Sequence, residues 1–134
     1  ADDPKTVPDF DFADWERTYR GLLDRARQAN PALKIVLCTP FAAPCGKIVE
    51  GALGEYYPLR QRILAQCCVI VERIAADYGA TLVPFHRLIA DLETRLPNGD
   101  ATYWVWDGIH PTPAGQRLMA DCWIGAAARN GVME

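Results

Sequence analysis

The chain has 134 residues, of which 50% are hydrophobic and 23% are charged, and its formal net charge is −3. This is the composition of a globular domain, and it excludes a disordered or fibrous protein. Because no basic cluster occurs and no apolar run approaches the roughly 20 residues that span a bilayer, we expect no nucleic-acid partner and no membrane partner.

The first half of the sequence predicts a helix, a strand and a second helix. Apolar residues recur at spacings of three and four from residue 11 to residue 29, with Asp11 as the N-cap and Asn30-Pro31 at the end. The run LKIVLCTP is short, continuous and rich in β-branched residues, which is typical of a strand buried on both faces. After the loop FAAPCGKIVEGALG, an apolar stripe predicts a long helix that ends before Gly79. The stripe consists of Tyr56, Leu59, Ile63, Cys67, Ile70, Ile74 and Tyr78.

The second half predicts a strand, a helix, a turn and a last helix. ATLVPF is again a strand of the buried type, and HRLIADLETRL has the pattern of a helix. Asn98-Gly99-Asp100 predicts a turn, and the segment ATYWVW follows it. The last helix runs from about Pro113 to Arg129, with Thr112 as its N-cap and Pro113 at its first position.

This alternation of helices and strands predicts an α/β fold with a parallel sheet that is layered by helices. Only two strands are evident, whereas sheets usually have about four to six. We therefore expect residues 1–134 to be the C-terminal portion of a single domain. Its sheet would be completed by an N-terminal part of that domain or by a partner chain, for example in a homo-oligomer.

The cysteines indicate neither a metal site nor a disulfide framework. Their number is odd, two are adjacent, and no Cys-x-x-Cys occurs. With only two histidines and no clustered carboxylates, the sequence predicts no metal site and no cofactor. Unpaired cysteines favour a reducing, cytoplasmic compartment. The five are Cys38, Cys45, Cys67, Cys68 and Cys122.

The segment WDGIHPTPAG carries the strongest chemical signal, because Asp107 lies three residues before His110. A carboxylate that accepts a hydrogen bond from Nδ1–H fixes the tautomer of a histidine and leaves Nε2 free to take a proton from a nucleophile. A turn through Gly108 would bring the two side chains together. We therefore predict that His110 is a general base and that Asp107 orients it. An isolated Asp-x-x-His is also compatible with an Asx turn beside a surface histidine of no chemical role.

The longer string DGIHPTPAGQRLMADCW resembles the last conserved block of the SGNH/GDSL hydrolases, a family of serine esterases and lipases. WERTYRGLLDRARQANPALKIVLCTPF is similar to a helix and the fourth strand of that family, and LRQRILAQCCVIVERIAADYGATLVPF to the next helix and the fifth strand. The resemblance implies a flavodoxin-like three-layer α/β/α fold, of which this chain is the C-terminal part. It also implies that Asp107 and His110 belong to a Ser-His-Asp triad. Within the family the similarity is closest to carbohydrate deacetylases, which implies a small ester or an acetylated, xylan-type sugar as substrate.

The sequence departs from the family pattern at the nucleophile and the oxyanion hole. The resemblance implies a Gly-Asp-Ser block and a Gly-x-Asn-Asp block, but the chain contains neither block and no serine at all. We expect the N-terminal part of the domain to carry both blocks. The chain alone should be inactive, since one oxyanion donor is worth about 3–4 kcal/mol. The alternative is a non-catalytic binding module that has kept the Asp–His loop.

Four other residues are candidates for a functional role. Trp104 and Trp106 precede the motif, and we predict that they bind substrate, because aromatic faces suit the C–H surfaces of sugars; packing beneath the loop is the alternative. Cys38, at the end of the first strand, would permit a Cys-His-Asp hydrolase. His86 follows the second strand, where it offers a second imidazole at the same sheet edge or simply starts the next helix.

Overall fold

The computed structural model describes residues 10–95 and 100–133. The predicted turn at Asn98-Gly99 lies outside these ranges. Two short 3-10 helices occur at Gly46–Val49 and Ala101–Tyr103. The longer elements are α1 (Phe12–Ala29), β1 (Val36–Cys38), α2 (Gly51–Glu55), α3 (Tyr57–Tyr78), β2 (Thr81–Val83), α4 (Phe85–Arg95) and α5 (Pro113–Arg129).

Strands β1 and β2 form a parallel two-stranded sheet, which confirms the predicted α/β class. The register runs from the pair Val36–Thr81 to the pair Cys38–Val83. Both strands are shorter than the apolar runs that predicted them. Pro40 and Pro84 follow soon after, and proline has no N–H to extend the ladder.

The described residues form two compact units, one before Val36 and one from Val36 onward. In the first unit, helix α1 begins where the sequence predicts, because the side chain of Asp11 accepts a hydrogen bond from the N–H of Asp14 at 2.9 Å. Arg20 pairs with Glu16 one turn away at 2.8 Å. None of the residues of α1 is buried.

In the second unit, α3 packs against both strands and supplies much of the core. The buried part of the predicted stripe includes Cys67, Ile70 and Ile74. The helix ends at Gly79, whose φ of 59° is left-handed and whose N–H bonds to carbonyls of the last turn. Gly79 is therefore confirmed as the residue that stops the helix, directly after Tyr78. None of the helices in the described ranges combines the length and the apolar character needed to cross a bilayer.

A second cluster of buried residues joins the loop after β1, helix α4 and the segment after it. Phe41, Leu88, Trp104 and Leu118 pack against this cluster and are themselves partly buried. It brings two segments that are about 60 residues apart in sequence into contact beside the start of α5. The buried members are Ala43, Cys45, Ile89, Leu92, Ala101 and Val105.

Candidate active site

Asp107 and His110 are in direct contact. The Nδ1 atom of His110 lies 2.6 Å from Oδ2 of Asp107. The other carboxylate oxygen, Oδ1, accepts hydrogen bonds from the backbone N–H groups of Ile109 at 2.9 Å and of His110 at 2.7 Å. The Asp107 side chain is 13% exposed, whereas that of His110 is 67% exposed. A shielded carboxylate thus holds an exposed imidazole, and the Asx turn forms as part of the same arrangement.

The charge of Asp107 fixes the tautomer of His110. Desolvation by itself raises the pKa of Asp107, but hydrogen bonds from the backbone and ring of His110 and from the Ile109 N–H outweigh it and lower the pKa to about 2. Because an ionised carboxylate can only accept, Nδ1 must carry the hydrogen. The neutral imidazole then presents Nε2 as an acceptor, and within the described ranges no group bonds to that atom.

The loop that carries the pair is closed by its own backbone. Val105 and Pro111 form an isolated antiparallel bridge, and the N–H of Trp106 donates to the carbonyl of His110 at 3.1 Å. The hydroxyl oxygen of Thr112 accepts from a backbone N–H in the first turn of α5 at 3.1 Å, so the predicted N-cap is confirmed. The position of the imidazole is therefore tied to the start of a 17-residue helix.

A second segment, residues 43–48, holds this loop in place, and we call it the supporting loop. The N–H of Ala43 donates to the carbonyl of Gly108 at 2.8 Å, and the N–H of Ile48 donates to the carbonyl of Asp107 at 3.3 Å. Both contacts are made by main-chain atoms. The side chains of this segment form no recognisable catalytic or binding motif, so the sequence did not predict its role.

Two glycines make the close approach of the two loops feasible. Gly46 has φ +62°, and a Cβ there would lie 2.6 Å from Cα of Asp107 and 2.7 Å from the carbonyl oxygen of Trp106. Gly108 has φ +91°, and a Cβ there would lie 2.6 Å from the carbonyl oxygen of Cys45. Such positive φ values and such short contacts exclude larger residues. These glycines were the only signal in the sequence that could have pointed to the supporting loop.

The aromatic residues of this region have different environments. The Trp106 ring is 53% exposed and stacks on the imidazole of His110, with centroids 5.9 Å apart and an interplanar angle of 23°. Trp104 instead packs against the buried cluster, and its indole N–H is buried without a partner among the described residues. Tyr103 is 62% exposed and meets Trp104 edge-on at 4.6 Å. Of the two predicted substrate-binding residues, Trp106 lies beside the imidazole, whereas Trp104 is largely covered.

The sequence around this site matches a family model. The model described as the GDSL-like Lipase/Acylhydrolase family covers residues 3–118, which is most of the chain. The chain belongs to the GDSL-like lipase/acylhydrolase family. This confirms the resemblance on which the sequence interpretation depends. A comparison with curated proteins gave no match.

Solved structures show the same GDSL-type fold. A protein from Parabacteroides merdae assigned as a GDSL-like lipase is 28% identical, with a TM-score of 0.71 over 84% of this chain and 48% of that chain. An acetylxylan esterase from Geobacillus stearothermophilus is 21% identical, with a TM-score of 0.64 over 85% of this chain and 46% of its own. An alpha/beta hydrolase enzyme from the metagenome of Lake Arreo, Spain, is 23% identical, with a TM-score of 0.66 over 92% and 50%. The chain thus spans about half the length of the structures it matches.

Cys38, considered above as a nucleophile, is the last residue of β1 and is half-buried. Burial raises the pKa of its thiol, and the proximity of Cys122 raises it further. Since the thiolate is the reactive form, a thiol with a raised pKa is a poor nucleophile at neutral pH. In this member of the GDSL family, the environment of Cys38 therefore opposes a Cys-His-Asp mechanism.

His86 is held by structural contacts. Its Nδ1 lies 2.7 Å from the hydroxyl of Thr39, and its backbone N–H donates to the same oxygen at 3.1 Å. Its Nε2 lies 3.7 Å from Glu72, which also pairs with Arg87 at 2.9 Å. Burial lowers the pKa of His86, which favours the neutral ring. The second imidazole thus links the end of β1 to the start of α4, with both of its nitrogens close to polar partners.

The chemistry that the described residues offer is acid–base. Nε2 of His110 can take a proton from a hydroxyl or a water molecule, and Asp107 would stabilise the resulting imidazolium. Among the described residues, no group of three or more histidine, cysteine, aspartate or glutamate side chains is arranged to hold a metal ion. The site therefore pairs an exposed imidazole with a carboxylate, and the sequence has no serine to accompany them.

Proposed function

We propose that this chain supplies the general base, His110, and the orienting acid, Asp107, of a Ser-His-Asp ester hydrolase. The observation that carries the proposal is the 2.6 Å contact between a shielded carboxylate and an exposed imidazole. The low pKa of Asp107 supports it, because the carboxylate stays ionised and keeps Nε2 of His110 as the acceptor. Membership of the GDSL-like lipase/acylhydrolase family gives independent support.

The proposal includes a division of the domain. Residues 1–134 would form its C-terminal portion, and polypeptide outside them would bring the serine and the oxyanion donors. The two-stranded sheet supports this division, since so small a sheet is usually part of a larger one. The coverage of about half of each matched structure supports it as well. The missing part belongs to the same protein or to a partner subunit.

In the proposed reaction, the serine oxygen attacks the acyl carbon while Nε2 of His110 takes the serine proton. The carbonyl oxygen becomes an oxyanion, and Asp107 stabilises the imidazolium. When the tetrahedral intermediate collapses, His110 returns the proton to the leaving alcohol oxygen and an acyl-serine remains. Water, deprotonated by the same imidazole, then attacks the acyl-serine and releases the acid and the free serine.

We propose an acetylated carbohydrate or a related small ester as the substrate. The exposed face of Trp106 beside His110 supports this, because aromatic rings pack well on sugar C–H surfaces. One structural relative is an acetylxylan esterase. Trp104 could contact the substrate only through the part of its ring that the core leaves uncovered.

The test uses the complete protein in which these residues occur. Hydrolysis of para-nitrophenyl acetate and of acetylated xylo-oligosaccharides should be measurable, and His110→Ala should reduce kcat by about 10³-fold or more. Arg117→Ala changes another exposed side chain, on α5, and should leave the rate unchanged. A fluorophosphonate probe should label a serine outside residues 1–134.

The second candidate, a binding module without catalysis, is favoured by the absence of serine from the sequence. The same experiment separates the two candidates. If the complete protein binds acetylated sugar but shows neither turnover nor labelling by the probe, the binding module is correct. Turnover that persists in His110→Ala would contradict the proposed roles of both residues.

A further inference from the structure

A cavity of about 230 Å³ lies between α3, α4 and the segment Phe41–Pro44. A water molecule occupies about 30 Å³ of liquid, so the cavity has room for a small organic molecule. No residue of the loop that carries Asp107 and His110 lines it. Its wall includes Phe41, Pro44, Tyr57, Gln61, Leu64 and Glu93.

The polar groups of this cavity are mainly acceptors. The side-chain nitrogen of Gln61 donates to the hydroxyl oxygen of Tyr57 at 2.5 Å and to the carbonyl of Ala42 at 3.5 Å. A carbonyl cannot donate, so the amide nitrogen must face Ala42, and Oε1 of Gln61 is left as an acceptor. Both residues line the cavity, and the groups that their mutual contact leaves unused are one amide oxygen and one phenol hydrogen.

Glu93 adds a negative charge that is poorly compensated. Its side chain is half-buried, and burial raises its pKa. Within the described ranges it has no hydrogen bond and no ion pair, whereas Asp91 on the same helix pairs with Arg95. Water screens the charge of a half-buried carboxylate only in part, so a cation in the cavity would be attracted to it. The Glu93 charge also raises the pKa of Tyr57, after desolvation, which places the two groups near each other.

Among the described residues that line the cavity, there is no lysine and no arginine. His86 is in the wall, but burial lowers its pKa and its Nδ1 is in contact with Thr39. Arg87 does not line the cavity and pairs with Glu72. Aromatic and aliphatic groups complete the wall, which suits the alkyl groups of an organic cation as well as its charge.

We propose that this cavity binds a small organic ammonium ion, with Glu93 as its counter-ion and Oε1 of Gln61 as a second acceptor. The rings of Phe41 and Tyr57 would contact its carbon atoms. A neutral polyol would leave the charge of Glu93 uncompensated, and an anion would be repelled by it. The site is separate from the proposed esterase site, because neither Asp107 nor His110 lines the cavity.

The test is calorimetric titration of the complete protein with choline chloride and with ethanolamine hydrochloride. The neutral carbon isostere of choline, in which a tert-butyl group replaces trimethylammonium, is titrated in parallel. We expect saturable binding of an ammonium probe that is at least about tenfold tighter than binding of the isostere. Equal affinity for the two, tighter binding of xylose or glycerol, or no binding of either ammonium probe would overturn the proposal.

Variants locate the site. Glu93→Gln should abolish the preference for the cation, whereas Asp91→Asn, on the same helix but exposed, should keep it. Retention of the preference in Glu93→Gln would also overturn the proposal. If Glu93→Gln does not fold, the affinities of the unmodified protein for choline and for its isostere still decide whether the proposal holds. Because the readout is binding, failure of this inference and failure of the esterase proposal are distinguishable.

Discussion

His110 contacts the carboxylate of Asp107 twice. Its ring Nδ1 lies 2.6 Å from one carboxylate oxygen, and its backbone N–H donates to the other at 2.7 Å. One side chain thus fixes both the orientation of the ring and the turn that presents it. The consequence is that changes at Asp107 alter chemistry and loop geometry together.

Asp107→Asn should lower kcat for para-nitrophenyl acetate by about 10²- to 10⁴-fold in the complete protein. The amide nitrogen of asparagine can donate to Nδ1 and so favours the tautomer that lacks an acceptor at Nε2. Asp121→Asn, an exposed carboxylate on α5, is the matched control and should have full activity. An unchanged kcat in Asp107→Asn would show that this carboxylate does not orient the base.

The low pKa of Asp107 predicts a pH dependence of stability. The folded-state pKa of about 2 lies below the ordinary value of about 3.9, so the ionised carboxylate stabilises the folded protein above about pH 4. This contribution is lost as the pH falls through about 2. The difference in free energy of unfolding between the unmodified protein and Asp107→Asn, measured in urea, should therefore narrow from pH 5 to pH 2. A difference in free energy of unfolding that stays constant over this range would contradict the low pKa of Asp107.

Gly108→Ala should destabilise the protein by about 2–4 kcal/mol, because a Cβ there would clash with the side chain of Ile48 and with the supporting loop. Gly51→Ala is the matched control. Its φ of +52° is also positive, but a Cβ there would meet nothing within 4 Å, so about 1 kcal/mol is expected. Chemical denaturation of both variants measures the difference. If both variants lose the same free energy of unfolding, the close approach of the two loops contributes little to stability.

Trp106→Ala should raise KM for acetylated xylo-oligosaccharides about 3- to 10-fold if the exposed ring contacts sugar. The KM for para-nitrophenyl acetate should change less, because that ester offers no sugar face. Tyr103→Ala removes another exposed aromatic ring that contacts Trp104 and not His110, and it should leave both constants unchanged. If Trp106→Ala lowers kcat for both esters equally, the ring acts by positioning His110 instead.

The thiols should react slowly with iodoacetamide at neutral pH. Burial raises the pKa of every cysteine in the chain, and that of Cys68 reaches about 11. Labelling followed by mass spectrometry should be at least about tenfold slower than for free cysteine and should accelerate on unfolding. Cys38→Ala should retain any hydrolytic activity. Rapid alkylation of Cys38 with parallel loss of activity would favour the thiol mechanism.

The sequence predicted those features that depend on local chemistry. Gly79 ends α3 and Thr112 begins α5, as their conformational preferences require. Asp107 and His110 come together because a turn of three residues leaves few alternatives. The family resemblance followed from the same segment and is confirmed by the family match.

Features that depend on contacts between distant segments could not be predicted. The supporting loop bonds through main-chain atoms to the segment that carries Asp107 and His110, and the thiol of Cys45 bonds to the carbonyl of Val105, 60 residues away. The aromatic residues on either side of Val105 gave no indication of which ring would be buried and which would be exposed. In the structure, Trp104 packs against the buried cluster and Trp106 is 53% exposed.

The main-chain character of the supporting loop has an evolutionary implication. Hydrogen bonds from Ala43 and Ile48 to the opposite loop use groups that every amino acid except proline possesses. The exposed side chains of the supporting loop, Pro44 and Lys47, can therefore vary among homologues without displacing the histidine, whereas the buried Ala43, Cys45 and Ile48 also fill the core. The positions of Gly46 and Gly108 should resist substitution most strongly during divergence, because any larger residue there would clash with the opposite loop.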